Sequence, residues 1–248
     1  MNIRGLLFDI NGTLIDINTN EESEEIYRVL SNFLSYQGII ISPESMRSQY
    51  FQIMKEQRNN SLEHHPEFNV VGIFTEIVAR KSSDFTRRLP SEKLAVLPLL
   101  LAEIFRAVSR YRLKLYQGVR ETLDTLHPYY RLAALSDAQT PWAVPELYSV
   151  DLLAYFSPIV VSGDLGFRKP DTRIFQQALD GMGMTAAEVL FVGNDMYRDV
   201  YGAQQLGIKT VFFRSNQGEH AKNGVSPDYI IYNFPELLQA ISFFGQQG

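Results

Sequence analysis

The sequence predicts an α/β fold: a doubly wound, Rossmann-like parallel sheet with an inserted all-helical cap domain. Three observations predict it. Ile3 to Asp9 is a short continuous apolar run ended by turn chemistry at Asn11-Gly12, as expected of a strand buried on both faces. From about Glu21 to Arg110 the apolar residues recur with a helical period, and beyond Leu115 helix and strand patterns alternate. Alternating units of that kind wind into a parallel sheet covered on both sides.

Within the helical stretch, breaks at Gly38, Ser42-Pro43, Pro66 and Pro90 leave four helices, because Pro removes a backbone donor and Gly carries a high entropic cost. They are expected over Glu22–Tyr36, Glu44–Arg58, Phe68–Lys81 and Ser91–Arg110. The alternating part reads as helix Gly118–His127, strand Arg131–Ser136, helix Pro141–Tyr148, strand Pro158–Ser162 and helix Asp171–Gly181. Strand Val189–Gly193, helix Met196–Gly207, strands Lys209–Phe213 and Tyr229–Ile231, and helix Pro235–Phe244 complete it. The first strand has no helix of its own kind after it. The simplest architecture therefore joins residues 1–16 to 112–248 as the sheet domain and treats 17–111 as the insert. Open α/β sheets bind ligands at the carboxyl ends of their strands, so a helical cap there closes over a substrate and excludes water.

The 248 residues suffice for one large domain or one domain carrying a smaller insert. With 45% hydrophobic and 21% charged residues the chain has the composition of a folded globular protein. Its net charge of −5 argues against a broad nucleic-acid or anionic-membrane surface, while leaving room for a local basic pocket. The absence of cysteine excludes disulfides, zinc-thiolate sites and thiol catalysis. Met1-Asn2-Ile3-Arg4 shows no leader pattern and no apolar run approaches the ~18 residues of a membrane span. A soluble, cytoplasmic protein with no membrane partner is expected, and no pattern specifies an oligomeric state.

Four stretches stand at expected strand ends: Asp9-x-Asn11-Gly12-Thr13, Leu135-Ser136-Asp137, Lys169-Pro170-Asp171 and Gly193-Asn194-Asp195-x-x-x-Asp199. A carboxylate at a strand end can attack phosphorus and form an acyl-phosphate, splitting hydrolysis into two easier displacements; Asp9 suits that role, or else it caps the Asn11-Gly12 turn. Gly12 lets the backbone approach a phosphoryl group closely, and Thr13 reads equally as a helix cap. Ser136 offers a hydroxyl at a strand end, or caps the helix before Pro141. Lys169 precedes Pro170, which biases it to an extended conformation, and supplies a fixed positive charge. Asp195 and Asp199 suit a magnesium site with Asp9, since Mg²⁺ takes few carboxylates plus waters and phosphate oxygens; the alternative is an acid-rich helix N-terminus. His64-His65 lacks the spacing of a helical metal site and reads as loop. Lys81 and Arg87-Arg88 read either as a solvated face or as selectors of an anionic substrate, and Trp142 as packing.

Together the four stretches, with "KPDTRIFQQAL" and "VLFVGNDMYRDVYGAQQLGIKTVFF" as the nearest matches, resemble the haloacid dehalogenase-like superfamily. The helical insert resembles that family's C1 cap. The resemblance implies a phosphatase using Mg²⁺ on a small phosphorylated substrate, with Asp9, Asn11, Ser136 and Lys169 catalytic. It implies Gly12, Ser136, Asp137 and Lys169 around the phosphoryl group, and Asp9, Asn11, Asp195 and Asp199 at the metal. Two departures matter. The family's last motif places an acid directly after the glycine, whereas here Asn194 stands there, so either Asn194 or Asp195 is the direct ligand. The usual residue at position 11 is a second Asp that protonates the leaving group, activates water and gives its main-chain carbonyl to the metal; Asn11 keeps that main-chain carbonyl but exchanges no proton near neutral pH. General acid–base catalysis is worth roughly 10²–10⁴-fold, so a slow or specialised phosphatase is expected. Two other readings are a 2-haloacid dehalogenase, whose halide needs no proton, and a non-catalytic binder of a phosphorylated ligand. The pair Asp195/Asp199 and the lack of an aromatic residue at position 11 count against the dehalogenase.

Overall fold

β1 (Gly5–Phe8) runs through a turn into β2 (Ile15–Thr19). The helical insert follows as α1 (Glu24–Ser35), α2 (Pro43–Asn60), α3 (Val70–Lys81), the single turn α4 (Asp84–Arg87) and α5 (Ser91–Ser109). The chain returns through β3 (Arg110–Leu115), α6 (Val119–Leu126), β4 (Arg131–Ser136), α7 (Thr140–Ser149) and β5 (Ile159–Val161). It ends with α8 (Thr172–Met182), β6 (Val189–Gly193), a widened turn Met196–Tyr201 continuing as α9 (Gly202–Gln204), β7 (Lys209–Phe213), β8 (Tyr229–Ile231) and α10 (Leu237–Gly245). This computed structural model describes residues 2–246; Met1, Gln247 and Gly248, which the expected sheet domain includes, lie outside the described residues.

Six strands form one parallel sheet in the order β5-β4-β1-β6-β7-β8, with helices against it. Successive strand residues point to opposite faces, and β1 is apolar on both. Leu6 and Phe8 join a cluster with Val119, Leu123, Phe234 and Leu237, while Leu7 joins Ile174, Phe175 and Leu179 of α8 on the other side. β1 lies between β4 and β6, so the ends of these three strands form one edge.

The strands β2 and β3 and the single turn α4 were not expected, and one expected helix begins differently. β2 and β3 pair antiparallel as a separate two-stranded ribbon, at the points where the chain leaves the sheet and returns to it. Their alternation is partly polar (Ile-Asp-Ile-Asn-Thr and Arg-Tyr-Arg-Leu-Lys-Leu), and a half-exposed ribbon gives only a weak apolar signal. The α-helix expected over Met196–Gly207 begins instead with a widened turn: the Val200 amide reaches back five residues to the Asp195 carbonyl at 3.1 Å.

The helical insert has its own core, including Ile26, Leu30, Tyr50, Phe74 and Phe105. Trp142 of α7 is its link to the sheet layer: the indole stacks on Phe105 with 6.0 Å between centroids, and Nε1 donates to the Ala102 carbonyl at 2.8 Å. Beside it the Arg106 guanidinium of α5 forks onto the buried Glu146 carboxylate at 2.6 and 3.3 Å. Among the described residues no helix is long and apolar enough to cross a membrane.

Candidate active site

Asp9 follows β1 directly, and its amide donates to the Val192 carbonyl at 2.9 Å, so the sheet fixes its backbone. Its carboxylate is buried with both oxygens engaged: Oδ1 accepts from Lys169 Nζ at 2.6 Å and Oδ2 from the Thr13 hydroxyl at 2.9 Å. Thr13 caps no helix, because strand β2 follows it. Gly12 has φ +87, where L side chains are strained, and a Cβ there would stand 2.3 Å from Asn194 Nδ2. Only glycine lets the turn and Asn194 share this space.

Lys169 lies in the loop before α8. Its amide donates to Asp137 Oδ1 at 3.0 Å, and its ammonium sits between Asp9 and Asp199 Oδ1, the latter at 2.7 Å. Burial alone would lower the Lys169 pKa, but the neighbouring Asp199, Asp9 and Asp137 charges outweigh it and hold the group above the usual lysine range. Burial pushes Asp199 above the usual carboxylate range, against the opposing charge of Lys169.

The residues after β6 divide differently from the expected metal set. Asp195 accepts at Oδ1 from the Tyr197 and Arg198 amides, and at Oδ2 from the Arg198 guanidinium and the Glu219 amide. Although burial opposes it, the Arg198 amide and guanidinium hold its carboxyl below the usual range. Asp195 thus caps the widened turn and does not converge with Asp9 and Asp199. Among the described residues no three or more acidic, His or Cys side chains are grouped to hold a metal ion. Asn194 is the residue that turns inward: its Oδ1 lies 3.1 Å from the Thr13 hydroxyl, and Nδ2 donates to the Gln217 carbonyl at 2.9 Å. Asp199 Oδ2 accepts from the Asn194 and Asp195 amides at 2.9 and 3.0 Å, which braces the strand end. A side chain at Gly193 would collide with that carboxylate. The sequence signal for this division was the position of Asp195 one residue before a helical pattern, where Asp is a favoured cap.

Three buried polar atoms along this edge have no hydrogen-bond partner: Asn11 Oδ1, Ser136 Oγ and Asp137 Oδ2. Each such atom costs about 1–3 kcal/mol when left unpaired, so each calls for a partner such as a bound water or ligand. Ser136 is not the cap of α7, which begins after Gln139. Asn11 and Asp137 line a cavity of about 480 Å³ between the sheet edge and the helical insert. Tyr50, Phe51, Arg58 and Glu67 of the insert form its opposite wall. Lys81, Arg87, Arg88, His64 and His65 do not line it; Arg87 is exposed and paired with Asp84 at 2.7 Å. Arg58 of α2, Glu67 between α2 and α3, and Arg168 before α8 were missed in the sequence because nothing in local spacing brings these distant residues to one cavity.

The oxygen donors here fit a hard cation of the Mg²⁺ type, which takes oxygen ligands. The unpartnered Asn11 Oδ1 and the Asn194 amide oxygen lie with the Asp9 carboxylate around one turn. Asp195, expected as a ligand by its charge, is outside this set. The acidic pair that counted against the dehalogenase reading is accordingly reduced to Asp199.

A family model described as haloacid dehalogenase-like hydrolase matches residues 6–213. Over 96% of this chain and 93% of its own length, glyceraldehyde 3-phosphate phosphatase from Pyrococcus furiosus is 23% identical. Pyrophosphatase PpaX from Halalkalibacterium halodurans is 26% identical over 97% and 98% of the two chains. A crystal structure of 2-haloacid dehalogenase from Pseudomonas syringae pv. Tomato superposes with a TM-score of 0.69 at 19% identity, covering 98% of this chain and 99% of that one. At that identity it establishes the shared fold alone. With a parallel sheet, a helical insert, Asp9, Lys169 and Asp199 brought together at one edge and a family match over most of its length, the chain belongs to the haloacid dehalogenase-like hydrolases.

Proposed function

We propose that this chain is a Mg²⁺-dependent phosphohydrolase of small phosphorylated metabolites, acting through an aspartyl-phosphate on Asp9. The observation that carries the reading is the buried Asp9 carboxylate held by Lys169 and Thr13, with the unpartnered Ser136 hydroxyl at the neighbouring strand end. The phosphatase names of the sequence relatives support it. In this reading residues 17–111 form the cap over a sheet domain of 1–16 and 112–248. Both boundaries fall inside the β2/β3 ribbon, through which the chain leaves and re-enters the sheet domain.

Asp9 attacks phosphorus, and the bond to the leaving oxygen breaks as the acyl-phosphate forms. Ser136 Oγ and Lys169 Nζ donate to the phosphoryl oxygens, and Asp137 holds Lys169 in place through its amide. Bound Mg²⁺, held by Asp9, Asn11 and Asn194 with Asp199 behind them, would neutralise charge on the transferred group. Water then attacks phosphorus and releases Asp9. The cap excludes bulk water, which strengthens each of these interactions. Asn11 transfers no proton in either step.

The test is a panel of phosphorylated metabolites and 2-haloacids assayed with Mg²⁺ and after chelation. Phosphate release that requires Mg²⁺, without halide release from any haloacid, is the expected result. Halide release, or no turnover of any phosphate ester, overturns the reading.

A further inference from the structure

In-line displacement at phosphorus places the attacking and leaving oxygens on opposite sides. Asp9 attacks from the sheet edge, so the leaving oxygen faces the helical insert. The proton it needs has to come from that wall of the cavity, because Asn11 has none to give.

Glu67 is on that wall. It sits in the irregular segment between α2 and α3, which is tied to the loop leading into Lys169. The Glu67 amide donates to the Gly166 carbonyl at 2.9 Å and the Arg168 amide to the His65 carbonyl at 3.0 Å. The carboxyl is buried, with 4% of the side chain exposed. Oε1 accepts from the Phe68 amide at 3.0 Å and Oε2 from the Ser162 hydroxyl at 2.8 Å. That same hydroxyl accepts from the Ala138 amide at 3.0 Å, two residues beyond Ser136. Glu67 is thus joined through one side chain to the loop that presents Ser136. The charged groups facing it are Arg58 of α2, 3.9 Å away, Arg168 before α8 and Asp137 after β4. Burial outweighs its hydrogen bonds and the Arg168 charge and holds its pKa above the usual glutamate range, so the proton stays on to higher pH. Two other carboxyls line the cavity. Asp137 lies on the sheet side beside Ser136 and is tied to the Lys169 amide, and Glu21 is partly exposed and bonded to Thr19.

We propose that Glu67 is the general acid and base of this site, taking the part that residue 11 cannot. The inference rests on the phosphohydrolase reading. In the first step the Asp9 oxygen–phosphorus bond forms, the bond to the leaving oxygen breaks, and the Glu67 proton passes to that oxygen. In the second the Glu67 carboxylate takes a proton from the attacking water, the new oxygen–phosphorus bond forms, the Asp9–phosphorus bond breaks, and inorganic phosphate leaves with Glu67 reprotonated.

The test compares wild type and Glu67→Gln on an alkyl phosphate, glycerol phosphate, and on para-nitrophenyl phosphate, whose phenolate leaves without a proton. Both substrates share the aspartyl-phosphate hydrolysis that Glu67 serves as base, so the readout is kcat/KM, which covers the steps up to departure of the leaving group. It should fall by about 10²-fold or more on the alkyl phosphate and by less than about tenfold on the aryl phosphate, which also shows that the variant is folded. The fall of wild-type kcat/KM on the alkyl phosphate as pH rises through the Glu67 pKa should be absent in the variant. Adding Asn11→Asp to Glu67→Gln should recover most of the lost alkyl-phosphate activity, with peptide mass across Leu6–Asp16 confirming residue 11 in each sample. Equal losses of kcat/KM on both substrates, or no loss of it on the alkyl phosphate, overturn the proposal and leave Glu67 as a pin between insert and sheet. A wild type that hydrolyses neither substrate overturns the phosphohydrolase reading itself, and this inference with it.

Discussion

Asp9→Asn removes turnover by about 10⁴-fold or more, the scale seen when a covalent nucleophile is lost, while the protein keeps its fold. The amide has the shape of the carboxylate but does not attack phosphorus. Its oxygen still accepts from Lys169, and Lys169 keeps its second partner, Asp199, at 2.7 Å. A sensitive phosphate-release assay alongside a thermal melt checks both halves. If the variant retains a substantial share of wild-type activity, Asp9 is not the nucleophile and the covalent route is gone.

Lys169→Met has the largest expected effect on stability. The methionine fills similar volume but leaves Asp9 and Asp199 buried close together with no cation between them. Removing one partner of a buried ionic group costs roughly 3–5 kcal/mol, because the remaining charge is left uncompensated. The sign of the pH dependence follows from Asp199, whose carboxyl burial already raises and which Lys169 lowers. Without Lys169 the folded-state value rises further, so the variant is penalised most at neutral pH and the loss shrinks as pH falls and Asp199 takes up a proton. Denaturant unfolding at neutral and acidic pH measures this. A loss below about 1 kcal/mol at neutral pH would mean that the pair is solvated or otherwise balanced.

The sheet strands were legible because they read as short unbroken apolar runs, the central ones buried on both faces. Arg131–Ser136, Val189–Gly193, Lys209–Phe213 and Tyr229–Ile231 fall at the expected residues. The helices of the insert were legible from period and from Pro and Gly breaks, with ends shifted by one or two residues where caps such as Asn69 and Ser42 decide them. The ribbon β2/β3 was not, because half-exposed strands beside charged residues lack a clean period. At the sheet edge, Asp9 and Ser136 were read from their places at strand ends and Lys169 from its neighbour Pro170, whereas Thr13 read equally as a helix cap and instead bonds Asp9. Which way Asn194 and Asp195 turn was decided by the widened turn, a tertiary adjustment that gives Asp199 to Lys169 and Asp195 to Arg198. Glu67 was invisible because its place depends on the docking of a loop across roughly the width of the cavity.

The most direct test of the central claim is rapid acid quench during turnover of a phosphorylated substrate, followed by peptide mass mapping. The account predicts one phosphoryl group on the Leu6–Asp16 peptide, localised to Asp9 and absent from Asp9→Asn. Steady release of phosphate with Asp9 never phosphorylated, or with the phosphoryl group on another residue, would contradict it.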